Sequence, residues 1–232
     1  MRVAARVTRV EAVGPYRLVL VERTGLDSGE PGQFFMVEAP GRLLPRPFSL
    51  CCETRGELGF LVDPAGRGTR AIAAAGTGDR LNVLGPLGRG FQLDVARPLL
   101  VGGGIGIAPF PYLSARLGGP SAVLGFRSAW HAEAAELVPR AEVVIDPVLV
   151  TDAIPAGHDV LACGPEPMLR AVARVAPDAQ LAWEAPMACG YGACFGCVVE
   201  LGGRLRRLCL EGPVLDARVV KHEVEASAEA AA

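Results

Sequence analysis

Four of the chain's seven cysteines stand close together, as Cys189-x4-Cys194-x2-Cys197 followed, after eleven residues, by Cys209. This is spacing by which thiolates hold a two-iron, two-sulfide cluster. Gly190, Gly192 and Gly196 lie between the first three sulfurs, beside the small or flat side chains of Ala188, Ala193, Tyr191 and Phe195. Such a loop lets backbone amides approach the sulfurs of a cluster closely. Residues 198–201 and 205–209 read as a hairpin turned at Gly202-Gly203, which returns Cys209 to the loop. Zinc is the competing reading of four sulfurs. Zinc sites, however, usually come as two separated C-x2-C pairs or mixed Cys/His sets, and only one such pair and no nearby histidine occur here. Disulfides and free thiols complete the alternatives.

Upstream, the chain changes rhythm once. Residues 2–10, 16–22, 33–39, 47–52, 57–63 and 80–84 read as short strands separated by glycine and proline turns, with one helix predicted at 69–75. That pattern predicts a small antiparallel barrel. Beyond Arg97-Pro98, short apolar runs at 99–101, 122–126, 142–145, 160–162 and 180–184 alternate with helix-like stretches. Those stretches reach to residue 117, cover 131–138 and run to about residue 175. Alternation of this kind predicts a parallel sheet covered on both faces. The expected fold class is therefore α+β and multi-domain. Its units are a barrel over 1–96, an α/β nucleotide domain over 97–184 and a cluster domain over 185–232. The Ala/Glu-rich tail at 223–232 reads as a fraying or helix-extending end.

Two loops in the second unit look like phosphate-binding turns. Gly102-Gly103-Gly104-Ile105-Gly106 follows an apolar strand and leads to Ala108-Pro109. Free amides and the dipole at a helix start suit a pyrophosphate. The strict G-x-G-x-x-G pattern is not met, because Pro109 stands at the third glycine and Phe126-Arg127-Ser128 replaces the acidic residue after the next strand. A plain tight turn fits the same residues. Cys163-Gly164-Pro165 forms the second loop, at the carboxyl end of another strand, where open parallel sheets bind ligands. A buried structural thiol is the other reading of Cys163. In the first unit, Arg46-Pro47-Phe48-Ser49 and Gly66-Arg67-Gly68-Thr69 combine an arginine with a glycine-started helix that Thr69 is expected to cap, a plausible phosphate site. Each is also an ordinary turn or helix start.

Composition removes several function classes. A formal charge of −2 with no basic block gives nucleic acid no footprint. No apolar run is long enough for a membrane span, and residues 1–10 alternate like a strand instead of forming a signal peptide. A soluble cytoplasmic protein is expected, in which cysteines serve metal or redox chemistry. The three histidines, His131, His158 and His222, form no acid/base triad pattern, so no catalytic residue is assigned.

In order, the motifs are RPFS (46–49), GRGT (66–69), GPLG (85–88), VGGGIGIAP (101–109), CGPEPML (163–169) and MACGYGACFGC…C (187–209). The set resembles the ferredoxin–NADP reductase superfamily over nearly the whole chain. More narrowly, it looks like the electron transfer subunits of NAD-linked dihydroorotate dehydrogenases. The resemblance implies FAD held by Arg46, Pro47, Phe48, Ser49, Leu61, Val62, Asp63, Gly68 and Thr69. It implies a [2Fe–2S] cluster on Cys189, Cys194, Cys197 and Cys209, and a nicotinamide flanked by Gly103, Gly104, Gly106, Cys163 and Gly164. The implied role is to carry electrons from the FMN of a separate catalytic subunit to NAD+, in a heterotetramer with two copies of each chain, within pyrimidine biosynthesis. A sulfhydrogenase-, sulfite reductase- or ferredoxin–NADP oxidoreductase-type subunit would share these modules, and Arg127-Ser128 would suit a 2′-phosphate and NADPH. A zinc-stapled, non-enzymatic binding module is the remaining alternative.

Overall fold

The computed structural model describes residues 2–220. The first half runs β1 (Arg2–Val13), β2 (Tyr16–Glu22), β3 (Phe34–Glu38), β4 (Arg46–Ser49), β5 (Cys52–Glu53), β6 (Glu57–Val62), α1 (Arg67–Ala73) and β7 (Arg80–Leu87). These strands form one antiparallel sheet in the order β4-β3-β7-β1-β2-β6-β5. Its inner face packs Val7, Val19, Phe35, Leu58, Phe60 and Val83 into one core. The continuous strand expected at 47–52 is broken. Leu50 N–H donates to Gln33 O beside β3, and Cys51 N–H donates to Gly59 O on β6. The two halves thus pair with strands at opposite ends of the sheet, and the chain must bend between them. The helix expected at 69–75 begins two residues earlier. Gly66 is its N-cap, and Thr69 sits three residues inside, where its hydroxyl accepts from Gly66 N–H at 3.0 Å. Thr69 thus closes the turn from within.

The second half runs β8 (Pro98–Gly103), α2 (Phe110–Arg116), β9 (Ser121–Phe126), α3 (Ala129–Ala132), β10 (Ala141–Ile145), β11 (Asp159–Cys163), α4 (Glu166–Val175) and β12 (Gln180–Ala182). After these come β13 (Val198–Leu201), β14 (Arg204–Arg207), α5 (Leu208–Glu211) and β15 (Val214–Asp216). The larger sheet has the order β10-β9-β8-β11-β12-β15. Its first five strands are parallel, as the alternating pattern predicts, and β15 adds an antiparallel edge on β12. The stretch expected to be helical at 131–138 is α3 followed by a 3-10 turn, Glu133–Leu137. Another 3-10 turn, Gly104–Ile107, precedes α2, so the helix proper starts after Pro109.

β13 and β14 form the predicted hairpin, and both Gly202 and Gly203 adopt positive φ, as a tight two-residue turn of this hand requires. The second strand stops at Arg207 instead of reaching 209, and Cys209 lies in α5. The tail expectation at 223–232 lies outside the described residues. Among those described, no helix is long and apolar enough to cross a membrane. One apolar core joins the antiparallel sheet to the parallel one through Leu18, Leu61, Phe91, Leu100 and Ile107. Another joins the parallel sheet to the cysteine-rich segment through Leu181, Trp183, Met187, Cys197 and Cys209.

Candidate cofactor and cluster site

The four clustered sulfurs are arranged as two pairs. Cys197 Sγ lies 3.2 Å from Cys209 Sγ, both buried. Cys189 is hydrogen-bonded to Cys194. Gly190 and Gly192 make this packing possible. Both take positive φ, and a Cβ on Gly190 would lie 2.5 Å from Met36 Cγ on β3, one on Gly192 2.6 Å from Leu210 Cδ1 on α5. The loop is therefore pressed between the antiparallel sheet and its own following helix. Arg207 secures it, donating to Gly192 O at 3.2 Å while its guanidinium lies 5.0 Å from the Phe195 ring centroid.

The two pairs differ electrostatically. Desolvation pushes the Cys189 thiol up, but the backbone N–H groups of Cys194, Tyr191 and Ala193, together with the Cys194 side chain, outweigh it and bring it down to about 6. Burial, followed by the neighbouring Cys197, pushes Cys209 up to about 12. Amides that converge on Cys189 favour a thiolate, the form in which cysteine ligates metal.

A cavity of about 430 Å³ reaches the segment that precedes this loop, up to Met187. From the first sheet it is lined by Pro47, Phe48, Ser49, Leu61, Asp63 and Thr69, and from the parallel sheet by Gly106 and Cys163. Trp183, Glu184 and Met187 form the wall that leads to Cys189. Three residues expected at a flavin do not line it. Val62 is fully buried in the sheet core. Arg46 and Gly68 lie against each other, so that a Cβ on Gly68 would fall 3.0 Å from Arg46 Nε. Arg46 Nη1 donates to Leu44 O and Pro45 O, which fixes the guanidinium at the start of α1.

A second cavity, about 560 Å³, lies on the parallel-sheet side. Gly103, Gly104, Pro165 and Met168 line it, with Arg127 and His131 across from them. Gly164 packs on Met168 rather than lining either cavity. The expected nicotinamide residues are thus divided: Gly103 and Gly104 face the second cavity, Gly106 and Cys163 the first. Asp63 and Ile105 line both, so the cavities share a wall.

Gly106, which follows Ile105 and lines the first cavity, has no room for a side chain. A Cβ there would come within 2.5 Å of both Cys163 O and Gly164 Cα, atoms of the opposing backbone. Gly106→Ala is expected to force the two loops apart, to cost about 1–3 kcal/mol of stability and to raise KM for the dinucleotide. Gly103→Ala, whose Cβ would meet side chains rather than backbone, Met168 Sδ at 2.6 Å and Pro165 Cδ at 3.2 Å, is expected to cost less. Thermal melts and steady-state kinetics of the two variants check this.

Tyr16, His131, Trp183 and Glu184 also line the cavities, although no local sequence pattern marks them. Arg127 Nε donates to His131 Nε2 at 2.8 Å, which leaves the ring proton on Nδ1, against Ser128 Oγ at 2.8 Å. Burial, followed by Asp63, pushes the Tyr16 hydroxyl up to about 12.

Glu184 is solvent-exposed at the edge of the first cavity, and the partial burial of its carboxyl there raises its pKa. The folded chain therefore holds this proton more tightly than the unfolded chain. Stability falls as pH rises from the ordinary carboxylate range through the raised value, and the penalty persists at neutral pH. In the cofactor-free chain, Glu184→Gln is expected to melt above the parent at neutral pH. The difference should vanish in acid, where both states carry the proton.

Residues 184–221 match the model of the iron-sulfur cluster binding domain of dihydroorotate dehydrogenase B. Over almost its full length the chain is 37% identical to the dihydroorotate dehydrogenase B (NAD(+)) electron transfer subunit of Bacillus caldolyticus, with 93% of this chain and 96% of the relative covered. The chain belongs to this family of electron transfer subunits. The Geobacillus thermodenitrificans member is 38% identical, with 90% of this chain and 93% of the relative covered. Family membership agrees with the order of motifs read from RPFS to the last cysteine. In fold, the chain is similar to an NADH-dependent reduced ferredoxin-NADP oxidoreductase, with a TM-score of 0.83 at 22% identity over 97% of this chain and 92% of that one. A ferredoxin NADP+ reductase from Neisseria gonorrhoeae superposes less fully, with a TM-score of 0.58 at 14% identity over 75% of this chain and 90% of that one. Both likenesses are of fold.

Proposed function

We propose that this chain holds a [2Fe–2S] cluster and FAD, and with them carries electrons from an FMN-containing dihydroorotate dehydrogenase catalytic subunit to NAD+. The carrying observation is the serial arrangement of the sites: paired sulfurs, a first cavity whose wall leads into them, and a second cavity sharing Asp63 and Ile105 with the first. Two sulfur pairs suit two irons with two thiolates each.

Cys189, Cys194, Cys197 and Cys209 would hold the cluster. Pro47, Phe48, Ser49, Leu61, Asp63 and Thr69 would surround the flavin, with Arg46 at the α1 start and Gly68 beneath it serving the pyrophosphate. When bound, FAD supplies the conversion between single electrons and the hydride carried by a nicotinamide. Gly103 and Gly104 would receive the dinucleotide in the second cavity, while Gly106 and Cys163 border the ring at the shared wall. Ser49, Cys163 and Glu184 orient what lies between them and keep bulk water from it.

In this reading the antiparallel sheet is a barrel closed by the bend at 50–51, and 1–96, 97–184 and 185–232 are flavin, nucleotide and cluster units. The assembly contains two copies of each subunit, which the mass of the purified complex measures. A second reading, NADPH in place of NADH, is favoured by one observation: Arg127, not a carboxylate, stands after β9 and lines the second cavity. The deciding experiment co-purifies the chain with its catalytic partner and assays dihydroorotate-dependent reduction of NAD+ and NADP+. Reduction of NAD+ is expected. An intact complex inactive with dihydroorotate contradicts the assignment, and strong preference for NADP+ selects the second reading.

A further inference from the structure

Arg127 and His131, four residues apart after β9, both line the second cavity. Arg127 is exposed, and its Nε–H donates to His131 Nε2 at 2.8 Å. His131 is buried, at 8% exposure. Its Nδ1–H is taken by Ser128 Oγ at 2.8 Å, and the Tyr16 and Trp130 rings meet the imidazole edge-on, with centroids 6.1 and 5.6 Å away. The imidazole is therefore a neutral acceptor of fixed direction. It takes one of the five guanidinium N–H bonds. Among the described residues, neither terminal nitrogen of Arg127 has a hydrogen bond or an ion pair, although Asp63 and Asp146 line the same cavity.

We infer that His131 is a positioning residue, holding Arg127 by Nε so that its two terminal nitrogens grip a phosphate of the dinucleotide in the second cavity. The inference rests on the dinucleotide reading of that cavity. An arginine tied to a carboxylate spends its charge on the protein. Tied to a neutral imidazole, it is oriented and keeps the charge for a ligand. The terminal fork presents parallel N–H bonds that match two oxygens of one phosphate. Orienting it in advance also spares rotamer entropy that a free arginine would lose on binding. A dinucleotide offers such a phosphate in its pyrophosphate, and the NADP form offers another at the 2′ position.

His131→Leu removes the acceptor, and His131→Gln puts an oxygen close to the place of Nε2. The assay follows dinucleotide oxidation by the flavin-loaded chain, with ferricyanide as electron acceptor. His131→Leu is expected to raise KM for NADH about 5- to 10-fold and to leave kcat within twofold. His131→Gln should recover most of that loss. Arg127→Ala should raise KM at least as much, and adding His131→Leu to it should change nothing further, because the imidazole acts through the guanidinium. Ser128→Ala frees the imidazole without altering the buried ring and should raise KM about 2- to 3-fold. NADPH run beside NADH separates the two phosphates: an equal loss assigns the pyrophosphate, a loss with NADPH alone the 2′-phosphate. An unchanged KM for both dinucleotides in His131→Leu, or in Ser128→Ala should the first variant not fold, would overturn the inference. So would a rise that persists undiminished in the Arg127→Ala background. A parent chain that holds FAD and oxidises neither dinucleotide would instead overturn the reading of the second cavity.

Discussion

Replacing Cys209 by serine is expected to reduce iron and acid-labile sulfide from a full cluster to near zero, while FAD content stays close to that of the parent. Cys209 is fully buried in α5, with its sulfur 3.2 Å from Cys197. Serine occupies nearly the same volume, so the helix and its packing on Leu208 should survive. In the proposed arrangement the change would remove one of two thiolates on one iron. Changes confined to the groups around a metal's ligands already cost about 10- to 100-fold in affinity, and loss of a ligand exceeds that. FAD is spared because the lining of the first cavity contains no residue of α5. Electron delivery from the catalytic partner should fall by at least about 100-fold. Iron analysis and the visible spectrum of the purified variant check the first part, and the coupled assay checks the second. A variant with full iron would show that Cys209 is not a ligand.

Arg46→Ala should weaken FAD binding by about 10- to 100-fold, the loss expected when charge-assisted hydrogen bonds to a phosphate disappear. The side chain is held in place by donation to Leu44 O and Pro45 O, and it rests on the bare backbone of Gly68 at the start of α1. That places a permanent positive charge at the start of α1, which is attractive to an anion. Because Arg46 is not among the residues that line the cavity, the flavin environment should change little once the site is saturated. The expected result is therefore a shifted titration midpoint with an unaltered absorption band. Arg46→Lys should recover part of the affinity, since it restores charge without the fork geometry. Flavin fluorescence titrations of the three chains measure this.

The cysteine spacing was the most legible feature because ligand geometry is encoded locally, in Cys189 to Cys197 and the glycines between them. The change from period-two strands to strand–helix alternation near residue 97 was equally plain, since burial on one face or on both leaves different hydrophobic patterns. Local pattern could not show that Arg46–Ser49 and Cys52–Glu53 pair with different strands. The apolar alternation runs unbroken through Leu50 and Cys51, and the bend is imposed by partners elsewhere in the chain. β15 was missed for a related reason: three residues acquire their strand character only by pairing with β12. The walls of the cavities were the least legible. Tyr16, Trp183 and Glu184 converge on them from distant parts of the chain, and nothing in their immediate neighbours marks them. Val62 shows the converse, a residue adjacent to the site whose side chain alternation turns into the sheet core.

Anaerobic titration of the purified chain with NADH, followed by visible and electron paramagnetic resonance spectroscopy, tests the serial arrangement most directly. If the second cavity receives the dinucleotide, the first holds FAD and the paired sulfurs hold the cluster, NADH should bleach the flavin absorption and produce the signal of a reduced [2Fe–2S] cluster in the same chain. A flavin that is reduced while an intact cluster stays oxidised, or a chain whose chromophores do not respond to NADH, would contradict the account.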